Sequence, residues 1–550
     1  MTLSLSRIGI ILMCIVALAV LPAANAQQDD LGARVSRALE AIGRAVDAST
    51  RPAVVIGITD RTHTLQVFAK GYYDLKTKGP VTKETLIEIG SITKSFTAIA
   101  LMQLFDEGRF DPRAPITKYI PWFQVKSTFE PITGHHLLTH TAGIPNYRPD
   151  VASMMSATYE LRDFEPSYAP GEHFWYSNIG FQTLGYALER IERKTYPEII
   201  RSRIFDKLDM GSSYAVIDDQ LRSKLPVSYS MWPYNNEYVE QPWFEYAAAD
   251  GSISATAGDM SAYARLLLNR GNTRNGRLIS EKAFDMLTKP ELNNYAYGLD
   301  VRQADGDTII GHGGGIAGFA SLLEVHMKDG FAIVVLSNAG YDGNLVQWVG
   351  NTLKAAYRNQ PLPAFPNPPA PPTGSEWAGV YKSPITGKTV EFVGEGNRLS
   401  LKQGDSVVPL TRIGRDAFRG PLIDPVYPFV FERQGGKVAE VSYGPEWYAN
   451  DAYTGPKEFN TPQNYAAYVG RYENHNPEGS FVRVFIRKGQ LLVASGIDGS
   501  GRPLVPAGDA TFRPKDPDYN PERYRFDSIV EGHALRMIVS GMPMYRVSAQ

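Results

Sequence analysis

The chain has 550 residues, of which 43% are hydrophobic, 11% aromatic and 21% charged. That length exceeds one compact core, so roughly two to four domains are expected, and the mixture excludes a disordered or coiled-coil chain. A formal charge of −2 without runs of Lys or Arg argues against nucleic acid or an anionic membrane as partner.

Residues 1–26 read as a secretory signal peptide: Arg7, the apolar run "IGIILMCIVALAVL", then Ala24-Asn25-Ala26 as a small-x-small cleavage site. The run is too short for a stable membrane anchor. Cleavage would remove Cys14, the single cysteine, leaving a periplasmic or secreted chain with no disulfide, thiolate metal site or cysteine nucleophile.

Residues 28–358 form the first folded unit. "PAVVIGITD" (52–60) and "HTLQVFAKGYYD" (63–74) are expected as neighbouring strands. "EIGSITKSFTAIALMQLFDEG" (88–108) then places Ser91 at the start of an apolar helix, with Lys94 one turn behind it. Two readings are open. A serine becomes a nucleophile when a base takes its proton, and a buried lysine amine serves once its surroundings favour the neutral form. The other reading is a helix-capping serine followed by a surface lysine.

"GHHLLTH" brings His135, His136 and His140 close together, and His136 and His140 have a metal-pair spacing. No H-E-x-x-H glutamate accompanies them, so no metal and no cofactor is expected. "YAPGEHFWYSNIGFQTLGYALERI" (168–191) sets Tyr176-Ser177-Asn178 on a loop before a helix. The aromatic stretch 229–246 either lines a pocket or packs over the helical lobe. Helices are also expected at 179–193 and 259–269, and strands at 307–315, 319–330 and 331–340. The first of these strands carries His312-Gly313-Gly314, whose glycines allow close backbone approach. Taken singly, Tyr176 also fits a packed aromatic and His312 a satisfied strand histidine. Strands from both ends of the unit with helices between them imply one antiparallel sheet flanked by helices.

Residues 359–374 are a proline-rich linker, with seven prolines in "QPLPAFPNPPAPPTG". Two β domains follow, 375–455 and 464–550, and they look duplicated: "EWAGVY" matches "AYVGRY", "NRLSL" matches "GQLLV", "DAFRG" matches "ATFRP", and "FVFER" matches "YRFDS". Short alternating strands broken by Gly, Asp and Pro suit small barrels.

In their order and spacing, Ser91-x-x-Lys94, Tyr176-Ser177-Asn178 and His312-Gly313-Gly314 resemble the motifs of the serine β-lactamase and penicillin-binding protein superfamily. The likeness is closer to its class C branch, which includes D-alanyl-D-alanine carboxypeptidases, D-aminopeptidases and esterases. "LLTHTAGIPNY" (137–147) and "ADGSISATAGDMSAYARLLL" (249–268) share it, so the resemblance covers roughly residues 35–355. It implies an α/β catalytic domain of the β-lactamase/transpeptidase type, an antiparallel sheet flanked by helices, followed by two small all-β, lipocalin-like barrels. Ser91 is then the acylated nucleophile and Lys94 its proton acceptor. Tyr176 shuttles the proton to the leaving group and later activates water. Asn178 orients Lys94 and meets the substrate amide. The backbone N–H groups of Ser91 and Gly315 form the oxyanion hole, with Gly313 and Gly314 beside the substrate. His312 stands where β-lactamases carry the lysine of Lys-Thr-Gly, a departure that counts against true β-lactamase activity.

The implied function is a secreted serine hydrolase working through an acyl-enzyme on small peptides or amides, a peptidase accepting D- or non-standard residues that is D-aminopeptidase- or carboxypeptidase-like or trims linearised peptides. The alternatives are an esterase or lactonase with the same residues, and a non-catalytic cell-wall binding or sensor protein. A barrel loop, either 473–481 or 514–525, is expected to reach over the site, as in D-aminopeptidases of this layout. The sequence sets no oligomeric state.

Overall fold

The computed structural model describes residues 31–48, 52–146, 153–232, 237–243, 245–340, 343–366, 373–420, 427–475, 481–495 and 501–547. Residues 1–26, expected as a signal peptide, the linker's centre 367–372 and most of the 473–481 loop lie outside the described residues.

The first unit is built on a seven-stranded antiparallel sheet in the order 300–304, 307–316, 319–326, 331–337, 53–60, 64–74, 79–80. Strands from both ends of the unit do meet, Val54 opposite Ser337 and Asp60 opposite Phe331. Every residue of Phe331–Ser337 is buried, because helices cover both faces of this central strand. On one face, Val54, Ile56, Ile333 and Val335 pack with Ile42 of helix Leu31–Ala48 and Val349 of helix Gly343–Tyr357. On the other, Val55, Val334 and Leu336 join the larger core of the helical lobe. Each fully buried Val or Ile contributes about 1.5–3 kcal/mol, so alternate residues of one strand stabilise two separate layers. Helix Ala257–Leu268 lies directly against Gly57, where a Cβ would come within 2.4 Å of Ser261 Oγ.

Helix Thr93–Asp106 runs through the lobe with residues 93 to 104 all buried. An all-round apolar helix belongs inside a large core. Its N-terminal side begins with the 3₁₀ turn Gly90–Ile92, so Ser91 precedes the α-helix proper.

Two closed eight-stranded barrels follow, with strands in sequence order around each. The first spans Gly379–Lys382 to Glu446–Ala449, the second Gly470–Glu473 to Met542–Val547. Their cores show the duplication side chain by side chain. Tyr381 and Tyr472, both buried, each donate to the carbonyl four residues earlier, Trp377 O at 3.0 Å and Tyr468 O at 2.9 Å. Phe418 and Phe512, and likewise Phe431 and Phe526, fill matching core positions.

Candidate active site

Lys94 is 0% exposed, which removes the surface-lysine reading. Its Nζ lies 3.1 Å from Ser91 Oγ and donates to Asp250 O at 2.8 Å. No side-chain capping bond forms at either turn of this helix start, so the Ser91 hydroxyl is not spent as a cap. The Nζ also sits 4.9 Å from the centroid of the Tyr176 ring. Burying an amine costs several kcal/mol unless its protons are taken up, and these contacts take them up.

Close backbone approach brings the His-Gly-Gly-Gly strand to the serine. A Cβ on Gly90, whose φ is +50°, would lie 2.7 Å from Gly315 N. A Cβ on Gly314 would lie 2.0 Å from Ile89 O. Both positions therefore exclude side chains, and Gly315 N is held beside the Ser91 turn. A cavity of about 830 Å³ opens there, lined by Ser91, Asn146, Asn178, Asp250, Gly315 and Ile316 among others.

Asn178 differs from expectation. Lys94 rests on Asp250 O rather than on Asn178, and Asn178 Oδ1 is buried with no hydrogen-bond partner among the described residues. The residue itself lines the cavity. His312 is 7% exposed, and both its nitrogens are engaged within the protein: Nδ1 on Gly313 O, Nε2 with Tyr295 OH at 3.0 Å. Burial, reinforced by nearby Lys94, pushes its pKa down to about 4. His312 is thus neutral at pH 7, Nδ1–H donating and Nε2 accepting from Tyr295, and supplies no positive charge to a substrate.

The three clustered histidines separate. Only Gly134–Leu138 is helical, and His140 has a left-handed φ of 57°. His135 Nδ1 meets Tyr297 OH at 2.9 Å, and His136 Nδ1 accepts from Thr133 N at 3.2 Å. His140 is 1% exposed and faces Tyr176. Its Nδ1 accepts from Ser177 N at 3.0 Å and its carbonyl from Trp175 N at 2.8 Å. Ser177 Oγ donates to Pro145 O at 2.6 Å and accepts from Gly180 N at 3.0 Å, capping helix Asn178–Glu192. The Tyr-Ser-Asn loop is therefore clamped on both sides of Tyr176.

Sequence reasoning overlooked His140 in this role, together with Asp250, Asn146 and Tyr295. Asp250 accepts from Tyr246 OH at 2.9 Å, and burial raises its pKa against the pull of Lys94. Of the aromatic stretch 229–246, Tyr246 reaches the cavity wall.

The 514–525 segment of the second barrel seats on the loops around this clamp. Glu522 Oε1 accepts from Asn146 N at 2.8 Å, and Tyr519 stacks on His173 at 4.2 Å with an interplanar angle of 4°. Ser167 Oγ donates to Asn520 O at 3.3 Å.

A protein-family model described as Beta-lactamase matches residues 18–356. Protein flp of Staphylococcus aureus is 25% identical over 294 residues, 49% of this chain and 56% of that protein. The chain thus spans about half the length of that curated relative. The unguisins hydrolase ungD' of Aspergillus campestris is 24% identical over 435 residues, covering 67% of this chain and 80% of the relative. Among solved structures, the octameric penicillin-binding protein homologue from Pyrococcus abyssi superposes with a TM-score of 0.53 at 22% identity, covering 76% of this chain and 100% of its own. The D-amino acid amidase from Ochrobactrum anthropi SV3 gives 0.51 at 22% identity, covering 59% and 99%. At these identities the two structures show a shared fold.

Proposed function

The chain belongs to the Beta-lactamase family of serine hydrolases, and from that membership we propose that it hydrolyses small peptides or amides through an acyl-enzyme on Ser91. The observation that carries this reading is the 3.1 Å contact of Lys94 Nζ with Ser91 Oγ at the mouth of the cavity. Ser91 Oγ attacks the substrate carbonyl as its proton passes to Lys94. Tyr176, packed over that amine, relays the proton to the leaving nitrogen as the C–N bond breaks. Water, deprotonated through the same pair, then cleaves the ester and restores the Ser91 hydroxyl. The N–H groups of Ser91 and Gly315 receive the oxyanion, each such donor being worth about 3 kcal/mol in the transition state. Asn178, which lines the cavity, meets the substrate's amide through its side-chain amide.

Among the described lining residues there is no Lys or Arg, and His312 is neutral. No fixed positive charge among these residues meets a substrate carboxylate, which favours an amidase or aminopeptidase reading over a carboxypeptidase one. Similarity to a relative named unguisins hydrolase supports a hydrolytic reaction. The same missing charge suits a neutral ester, which makes an esterase the second reading. Export of the chain rests on its N-terminal residues and is part of the proposal.

Incubating the purified chain with D-alanine p-nitroanilide and p-nitrophenyl butyrate separates the two readings, with a mass shift on Ser91 expected for both. Turnover of the ester alone would remove the amidase reading. No adduct with either substrate, nor with a fluorophosphonate, would favour a binding protein.

A further inference from the structure

At the end of the sheet remote from Ser91, strand Asp307–Ile316 begins and strand Phe319–His326 ends. Ile309 pairs with His326 there, while Gly315 pairs with Ala320. The cluster thus lies about 20 Å along the strands from the cavity. His326 is 0% exposed and Asp307 1%. Both ring nitrogens of His326 and Asp307 Oδ2 have no hydrogen-bond partner among the described residues. Asp307 Oδ1, by contrast, accepts from Lys328 N at 2.7 Å.

His326 Nδ1 and Asp307 Oδ2 are 3.6 Å apart, too far to bond to each other. Two ligands of one cation, each about 2.0–2.2 Å from it, are separated by about that much. Ligand atoms of Asp307, His326 and Asp329 all lie within 4.8 Å of one another. On the far edge of the ring, Nε2 faces Glu324 Oε2 at 3.7 Å, and Glu324 is fixed by Arg302. A carboxylate behind a histidine is the arrangement that fixes the tautomer of a metal-bound imidazole. The ring face is held by Phe331, stacked at 4.4 Å, which leaves only the two nitrogen edges free to bond.

Asp305, Asp307, Glu324 and Asp329 face two guanidiniums, Arg302 and Arg358. Arg358 is placed by 2.7 Å bonds to Asp305 and Asp329, and its Nη2 stands 3.6 Å from Asp307 Oδ2 without bonding it. Lys328 and Arg61 turn their charges onto backbone carbonyls. Counted with Lys328 and Arg61, these four carboxylates meet four cations, so it is the unpartnered His326 and Asp307 atoms and their spacing that point to a metal.

We propose that Asp307, His326 and Asp329 form a structural site for a divalent cation of the zinc class, tying the ends of two sheet strands to the 327–330 turn. Asp307 Oδ2, His326 Nδ1 and an Asp329 oxygen supply an O,N,O set suited to zinc or a neighbouring first-row ion. His326 binds as neutral imidazole with its Nε2 proton toward Glu324.

The test is zinc titration of the full chain, stripped with a chelator and dialysed, read by calorimetry and by metal analysis after gel filtration. One equivalent is expected with a Kd of about 1 μM or below, together with a rise in Tm. His326→Gln should abolish that equivalent, and Asp329→Asn, at a half-exposed position, should weaken it by at least about tenfold while the chain stays folded. Equal zinc uptake by the parent chain and both variants would assign the metal to surface histidines and overturn the proposal. So would absence of uptake, with His326 found by NMR as an imidazolium shared between Asp307 and Glu324.

Discussion

The ring of His140 lies 4.2 Å from the ring of Tyr176, while its Nδ1 accepts the Ser177 N–H at 3.0 Å. One side chain therefore sets both the face of the tyrosine and the backbone immediately after it. Burial above all, with Lys94 nearby, holds the His140 pKa well below its ordinary value, so Nδ1 remains an acceptor. His140→Asn keeps an acceptor and tolerates the left-handed backbone, but loses the ring. It should lower kcat about tenfold with little change in KM. His140→Ala also leaves the Ser177 N–H unpaired, costing about 1–3 kcal/mol of stability. Kinetics and thermal melts of the two variants check this, and equal kcat in all three proteins would remove His140 as a positioning residue.

Replacing the proton carriers should separate chemistry from binding. Lys94→Met and Tyr176→Phe are each expected to cut kcat by about 10²–10⁴-fold, and not additively, because they serve one relay. Intact-mass kinetics of Ser91 acylation read the first half-reaction directly. Full turnover by Lys94→Met would refute the mechanism.

The second barrel braces the catalytic loops through Glu522 and Tyr519. Glu522→Ala leaves Asn146 N without its partner, and Tyr519→Ala removes the His173 stack. Either change should lower kcat/KM about tenfold, equivalent to about 1.4 kcal/mol. Circular dichroism should show both barrels intact. Unchanged kinetics would reduce the contact to simple docking.

His312 predicts an acid-sensitive fold. Its pKa falls from an ordinary 6.5 in the unfolded chain to about 4 in the folded one. Between those values the unfolded state binds more protons, so this contribution is fully present above pH 6.5 and drains away as pH falls. At pH 4 the loss from His312 is about 3 kcal/mol. Denaturant unfolding at pH 7 and pH 4.5 measures it, and His312→Gln should flatten the slope. An unaltered slope in that variant would put the acid sensitivity elsewhere.

The paired barrel tyrosines should behave alike. Tyr381→Phe deletes the bond to Trp377 O, and Tyr472→Phe the bond to Tyr468 O together with a longer contact to Ala534 O, at about 1 kcal/mol for each variant. Unlike costs in equilibrium unfolding would mean that the two copies have diverged in their packing.

Much of this protein was legible before any coordinates. Apolar runs specified the central strands, since a strand covered on both faces needs no polar alternation, and the internal repeat specified two β units. Ser91 and Lys94, three apart at a helix start, can share one face, so spacing allowed their contact, while the burial that rules out a surface lysine came from the structure. What the spacing could not show is that Lys94 rests on Asp250 and that Asn178 keeps a free oxygen. His140 reaches Ser177 across 37 residues and Glu522 reaches Asn146 across 376. A histidine reads the same in sequence whether it binds metal, caps a turn or stacks on a tyrosine. Helix and strand periods are local and repeat along the chain, so they can be read in one dimension. The partner of a single buried polar atom is set by where the whole chain folds back, and only the tertiary structure decides it.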